Sequence, residues 1–248
     1  MAKKDYFSGH SKTYAAFRPV YPEELYEFIF SHLKYRDKAW DCATGNGQAA
    51  QYLAKHFDKV YATDISQQQL DQAIRLNNIE YSVSPAESTV FPDHQFDLIT
   101  VGQALHWFDR EKFFEEATRV GKPGSLLAVW GYSLLYIESR IDEIILNFYS
   151  QTVGTYWDDA RRLVEQKYET IVFPFDEIPS PTFSIDVAWT LDHLRGYLES
   201  WSSTQKFIKE NNHNPVPEVI AELGKYWNTG EVKQVSFPVF LRLGKLGG

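Results

Sequence analysis

The sequence predicts an α/β fold, a doubly wound and mainly parallel sheet, on three observations. Between Lys38 and Trp130, short β-branched or aromatic runs alternate with longer helical patterns, the signature of successive βαβ units. The first run ends in a paired-glycine turn, Gly45-Asn46-Gly47, and the second ends at Asp64; parallel sheets of this kind hold ligands at such carboxyl-terminal strand ends. The 248 residues are 44% hydrophobic and 23% charged, enough for one large core and incompatible with disorder or a collagen-like chain.

Taken in order, the arm from Tyr6 to Tyr21 shows no regular period, and Pro22 then opens a helix with Leu25, Phe28, Ile29 and Leu33 on its apolar face. Strands are expected at Lys38 to Cys42, Lys59 to Thr63, Ile79 to Val83, Phe96 to Val101 and Ser125 to Trp130, each closed by polar or turn-forming residues. Crossover helices are expected at Gln48 to Phe57 and at Ser66 to Leu76, where Ser66 and Gln69 have capping-box spacing. A third helix opens with Asp109 as its N-cap, carries Phe113, Phe114, Ala117 and Val120, and stops at Gly121-Lys122-Pro123-Gly124. Beyond Trp130, helical patterns run through Ile137, Ile141, Ile144, Ile145 and Phe148 to a Pro-rich stretch, Phe173 to Pro181. A strand at Thr182 to Val187, helices at Leu191 to Trp201 and Pro217 to Trp227, and a last strand at Val235 to Leu243 complete the chain.

Composition limits the partners. With 25 basic against 33 acidic residues the net charge is −8, and no basic stripe exists to track phosphates, so no nucleic-acid partner is expected. The longest nearly apolar run, Leu126 to Tyr136, is too short to span a bilayer. A single cysteine, Cys42, and a polar amino terminus point to a cytoplasmic, reducing compartment without membrane attachment. No two of the seven histidines share metal-ligand spacing on one helix, so no metal is expected. The carboxylate pairs Glu115-Glu116 and Asp158-Asp159 read as solvated faces. With 17 Phe, 15 Tyr and 7 Trp, any pocket is expected to be lined with rings.

The chemistry concentrates in Asp41-Cys42-Ala43-Thr44-Gly45-Asn46-Gly47. Two close glycines let the chain bend tightly and let a ligand approach the main chain, and the following helix offers free N–H groups. Asp64 lies where such sites supply a carboxylate to ribose hydroxyls, so an adenosine-containing ligand is expected. Asp41 would repel a pyrophosphate but attract an ammonium, which favours S-adenosylmethionine over NAD.

The run Asp41-x-Ala43-x-Gly45-x-Gly47, then Asp64, Ala86-Glu87 and Phe96-Asp97-Leu98-Ile99-Thr100-Val101 resembles the successive motifs of class I S-adenosylmethionine-dependent methyltransferases. Tyr14 to Pro22 and Gln103 to Phe108 are similar to the small-molecule branch that includes trans-aconitate methyltransferases. The resemblance implies S-adenosylmethionine as cofactor, with Ala43, Gly45 and Gly47 beneath its methionine portion, Asp41 supporting its ammonium, Asp64 and Ile65 at the ribose, and Ala86 and Glu87 edging the adenine. It further implies a seven-stranded, Rossmann-like sheet with an antiparallel last strand, in one domain: residues 1–36 an arm and helix, 37–133 the cofactor core, 134–248 lid helices and final strands. Ala43, where glycine is common, and Pro85, where an acid is common, depart from the family pattern.

For the acceptor, a small molecule bearing a carboxylate or hydroxyl is expected. His106, after the fourth strand, is the candidate general base, needed for a hydroxyl and not for a carboxylate; it is equally able to serve as a packing residue. Tyr14, Arg18, Trp107 and Trp201 are the candidate acceptor-binding residues, Arg18 through a bidentate grip on a carboxylate. Two alternatives remain open: an NAD-dependent oxidoreductase, and a non-catalytic protein that keeps the nucleoside site. The sequence leaves the oligomeric state open.

Overall fold

The computed structural model of the chain describes residues 19–247. Five parallel strands form the centre of the sheet: β1 (Lys38–Cys42), β2 (Lys59–Asp64), β3 (Ile79–Val83), β4 (Phe96–Gly102) and β5 (Gly121–Tyr132). Their spatial order is β3-β2-β1-β4-β5. Winding therefore reverses between β1 and β4, which opens a crevice at their carboxyl ends. The last strand, β8 (Val232–Lys245), runs antiparallel beside β5. Its other edge carries both β6 (Asp176–Ile178) and β7 (Phe183–Thr190). These two share one lane, interrupted at 179–182 by Pro179 and Pro181, residues tolerated at an edge because they have no N–H to give to a ladder. The sheet thus has the expected seven lanes, the seventh in two pieces.

Alternation along the buried strands builds a core on each face. Leu126, Ala128 and Trp130 of β5 join Leu25, Ile29 and Phe237 on one side; Leu127 and Val129 join Trp40, Phe113 and Tyr168 on the other. The first side is covered by α1 (Glu23–Ser31), α2 (Gln48–Leu53), α5 (Ser139–Asn147), α7 (Leu191–Glu199) and α9 (Val216–Leu223). The second receives α4 (Arg110–Val120) and α6 (Arg161–Glu165). Among the described residues no helix is long and apolar enough to cross a membrane.

Four local expectations are corrected. The helix expected at Ser66 to Leu76 is one turn, α3 (Gln67–Leu70): Ser66 Oγ does accept from Gln69 N at 3.4 Å, but only Leu70 and Ala73 supply buried apolar side chains beyond the cap, too few to extend it. Asp109 begins α4 without a side-chain cap; its carboxylate takes Lys112 at 2.7 Å instead. Glu116 is not solvated. It accepts from Thr89 N at 2.7 Å and Arg119 Nη2 at 2.7 Å, pinning the loop before β4 onto α4. Asp158 is likewise drawn inward, to Lys206 Nζ at 2.7 Å.

Candidate functional site

The strand ends flanking the crevice carry the expected residues. Asp41, at 1% exposure, closes β1, where its Oδ1 accepts from Thr100 Oγ1 at 2.8 Å and its Oδ2 from Thr44 Oγ1. Burial pushes its pKa up to about 6, against the lowering by both hydroxyls. The turn that follows is left-handed at Ala43 (φ 55°), Gly45 (φ 58°) and Gly47 (φ 82°). Asp64 ties this turn to the end of β2: its Oδ2 accepts from Gly45 N and its Oδ1 from Ser66 N, each at 2.9 Å.

The glycines fit a bound nucleoside in different ways. A Cβ built on Gly45 meets nothing within 4 Å, so the main chain there faces open space. A Cβ on Gly47 would collide with the Tyr81 hydroxyl, so this glycine serves the packing of the turn itself. Beside the turn, Ile65 leaves 45% of its surface exposed, while Ala86 is buried. Glu87 Oε1 accepts from Asp109 N at 2.8 Å, linking the loop after β3 to the start of α4. Burial pushes the Cys42 thiol well up, and the carboxylates of Asp41, Asp64 and Glu87 add to that rise, marking a concentration of negative charge suited to a cationic ligand. This cradle and charge fit S-adenosylmethionine, whose ammonium and sulfonium are both positive.

On the other flank, a 3₁₀ turn after β4 (Leu105–Trp107) presents His106 and Trp107. His106 is 7% exposed and its Nδ1 lies 2.8 Å from the hydroxyl of fully buried Tyr168. Burial, reinforced by the charge of Arg161, lowers its pKa to about 3. Trp107 is partly buried, its ring 4.6 Å from that of His106. Trp201 is buried between α7 and α8 (Ser202–Asn211), in ring contact with Phe148, Tyr149, Trp157 and Tyr197. Tyr14 and Arg18 lie outside the described residues.

Several supporting residues carry no sequence signal of their own. Thr44 and Thr100 sit inside ordinary turn and strand patterns, yet both hold Asp41. Gln103 adopts φ 54° and its amide clamps Tyr132, accepting from Tyr132 N at 2.8 Å; a left-handed glutamine is not marked by residue type as a left-handed glycine is. Tyr168, 62 residues from His106, meets it only through folding. Among the described residues no three metal-ligand side chains cluster.

Comparison with known proteins agrees with this geometry. The family profile described as "Methyltransferase domain" matches residues 40–129. A Dictyostelium discoideum protein assigned as a methyltransferase is 37% identical, over 97% of this chain and 95% of its own length. A solved structure from Anaeromyxobacter dehalogenans, assigned as a type II methyltransferase, is 33% identical with a TM-score of 0.87, covering 94% of this chain and 100% of that one. Phosphoethanolamine N-methyltransferase 2 of Haemonchus contortus, solved with S-adenosyl-L-methionine, shares the fold at 16% identity and a TM-score of 0.50, over 98% of this chain and 58% of that one.

Proposed function

This chain belongs to the class I S-adenosylmethionine-dependent methyltransferases, and from that premise we propose that its acceptor is a small molecule methylated on a carboxylate oxygen. Family membership replaces the oxidoreductase and non-catalytic alternatives. The similarity to trans-aconitate methyltransferases, the single-domain division and the cytoplasmic location belong to the proposal.

S-adenosylmethionine supplies a methyl carbon already activated by its sulfonium, open to direct displacement by an oxygen nucleophile, with the C–S electron pair leaving on sulfur as S-adenosylhomocysteine. In this reading Asp41 faces the ammonium of the cofactor, Ala43, Gly45 and Gly47 underlie its methionine portion, Asp64 and Ile65 take the ribose, and Ala86 and Glu87 border the adenine. Asp64 would exchange its contact with Gly45 N for the ribose hydroxyls, a swap between hydrogen bonds of similar strength. Tyr14, Arg18 and Trp107 are assigned to the acceptor, Trp201 backs the ring wall from its buried position instead of touching the acceptor, and ring-lined walls favour a small organic molecule.

One observation carries the choice of acceptor: His106 has a pKa of about 3 and is tied through Nδ1 to Tyr168. Such a weak base is poorly matched to deprotonating a hydroxyl near neutral pH, whereas a carboxylate is ionised before it arrives. The Tyr168 hydroxyl, 2.8 Å from Nδ1, occupies that ring nitrogen and leaves Nε2 as the one with which His106 can meet an acceptor. In this reading His106 positions the acceptor in place of acting as the expected base. Calorimetry with S-adenosylmethionine, S-adenosylhomocysteine and NAD, followed by mass spectrometry of incubations with small carboxylic acids and phenols, tests the proposal. Binding of the first two and methyl ester formation are expected; methylated phenols without esters would overturn the choice of acceptor.

A further inference from the structure

Among the described residues, one lid cation has no carboxylate in direct contact. Arg161 opens the short helix α6, and its Nε donates to Tyr149 Oη at 3.2 Å. Its guanidinium lies 5.0 Å from the ring centroid of Trp157 and 5.9 Å from that of Tyr149. Among the described residues its terminal nitrogens have no acceptor and no carboxylate pairs with it. Of the neighbouring acids, Glu165 accepts from the Tyr149 hydroxyl and Asp158 pairs with Lys206. Two other partly buried arginines differ, since Arg242 takes both oxygens of Glu177 at 2.8 Å and Arg119 takes Glu116 and Asp93.

The position of this charge is as informative as its lack of a partner. After burial, the charge of Arg161 helps to hold the His106 pKa low and opposes the rise that burial gives Tyr168, and Tyr132 and Tyr197 are close enough to act on it in turn. The helix α6 packs against the 3₁₀ turn Leu105–Trp107 that carries His106 after β4, which puts Arg161 on the carboxyl-terminal side of the sheet. A partly buried guanidinium surrounded by neutral rings keeps its charge and loses hydration. Its free edge offers parallel N–H groups that match the two oxygens of a carboxylate. Tyr149 and Trp157, their rings 4.9 Å apart and both partly buried, flank that edge, with Trp201 packed behind them at 5.6 and 5.5 Å.

We propose that Arg161 is a specificity-determining residue that anchors a carboxylate on the acceptor, and that Tyr149 and Trp157 hold a flat, apolar body attached to it. The acceptor class is then a planar, aromatic or conjugated carboxylic acid. This assignment rests on the methyltransferase site proposed above and adds to it the residue that selects the acceptor. It is separate from the cofactor cradle, which is built from the ends of β1 and β2.

The experiment uses the full chain and two readings. S-adenosylhomocysteine is titrated first; then, with that ligand saturating, benzoate, trans-cinnamate and indole-3-acetate are each compared with the neutral amide of the same skeleton, by calorimetry and tryptophan fluorescence. At least one acid is expected to bind about tenfold or more tightly than its amide. Arg161→Gln is expected to abolish that preference while S-adenosylhomocysteine affinity stays within about twofold, and Arg161→Lys to keep part of the preference because it keeps the charge but not the fork. Equal binding of every acid and its amide, binding of neither, or an unchanged preference in Arg161→Gln overturns the assignment. So does an equal loss of S-adenosylhomocysteine affinity in Arg161→Gln, which would place the guanidinium on the carboxylate of the cofactor. Failure of the unaltered protein to bind S-adenosylhomocysteine would instead overturn the cofactor site itself, and the anchor with it.

Discussion

At Asp41 the competing effects are desolvation and hydrogen bonding, and desolvation wins. Its pKa of about 6 exceeds the ordinary carboxylate value of 3.8, so the contribution of this group to stability is complete below that ordinary value and is lost as pH rises through about 6. A cation against the carboxylate reverses the balance by favouring ionisation. S-adenosylhomocysteine, which keeps the ammonium, is therefore expected to bind about tenfold more weakly at pH 5 than at pH 7. Asp41→Asn should flatten that dependence and weaken binding at pH 7; equal affinities of the unaltered protein at the two pH values would remove Asp41 from the ammonium. Ala43 illustrates a different residue-scale effect. Its φ of 55° disfavours any side chain by roughly 1–2 kcal/mol, which gives a physical reason for the glycine common at this position in the family.

Among the elements, β1 to β5 and the long helices were legible in the sequence because each has a period matched by burial: α1 buries Leu25 and Ile29, and α4 buries Phe113, Phe114, Ala117 and Val120. Shorter pieces were not. Residues 66–76 carry helix-compatible residues but too little apolar surface, and folding stops after one turn. The loop before β4 is held by the polar contacts of Glu116 and Arg119 and by Phe91 against Trp40, Tyr61 and Phe96, none of which leaves a periodic trace. Burial alone would raise the Glu116 carboxyl, but hydrogen bonds from Arg119 and Thr89 outweigh it and hold it below the usual value. Its stabilising contribution is thus present above the unfolded carboxylate pKa and fades as pH falls through the lowered one. Glu116→Gln should cost about 1–3 kcal/mol, read from the midpoint of urea unfolding at pH 7. An unchanged midpoint would show the network to be energetically neutral.

At the scale of the whole molecule, β8 joins the parallel core to the seventh lane. It pairs with β5 on one edge and with β6 and β7 on the other, and contributes Phe237, Val239 and Leu241 to the core under the lid helices. Truncation before Val232 is expected to abolish cooperative thermal unfolding, measured by circular dichroism, because β5 would become a bare edge and the outer lane would lose its partner. A cooperative transition in the truncated chain would show that the five-stranded centre folds unaided.

The sequence by itself determined the α/β class, the order of the strands along the chain, and the glycine turn with its two acids, because strand period, turn chemistry and residue spacing are local properties. It also carried the motifs that placed the chain among methyltransferases. Tertiary structure alone decided how those acids are held, by bringing Thr100 to Asp41 across 59 residues. It decided that His106 would be a buried, weak base, because Tyr168 meets it across 62 residues and burial removes the water that would stabilise its charge. Arg161 is the clearest case: its sequence neighbours, Asp158, Asp159 and Glu165, suggest an ordinary surface ion pair. Only the packing of the lid engages Asp158 and Glu165 with Lys206 and Tyr149, leaving the guanidinium among rings. Charge pairing depends on distances through space and on desolvation, and neither is written in the local order of residues.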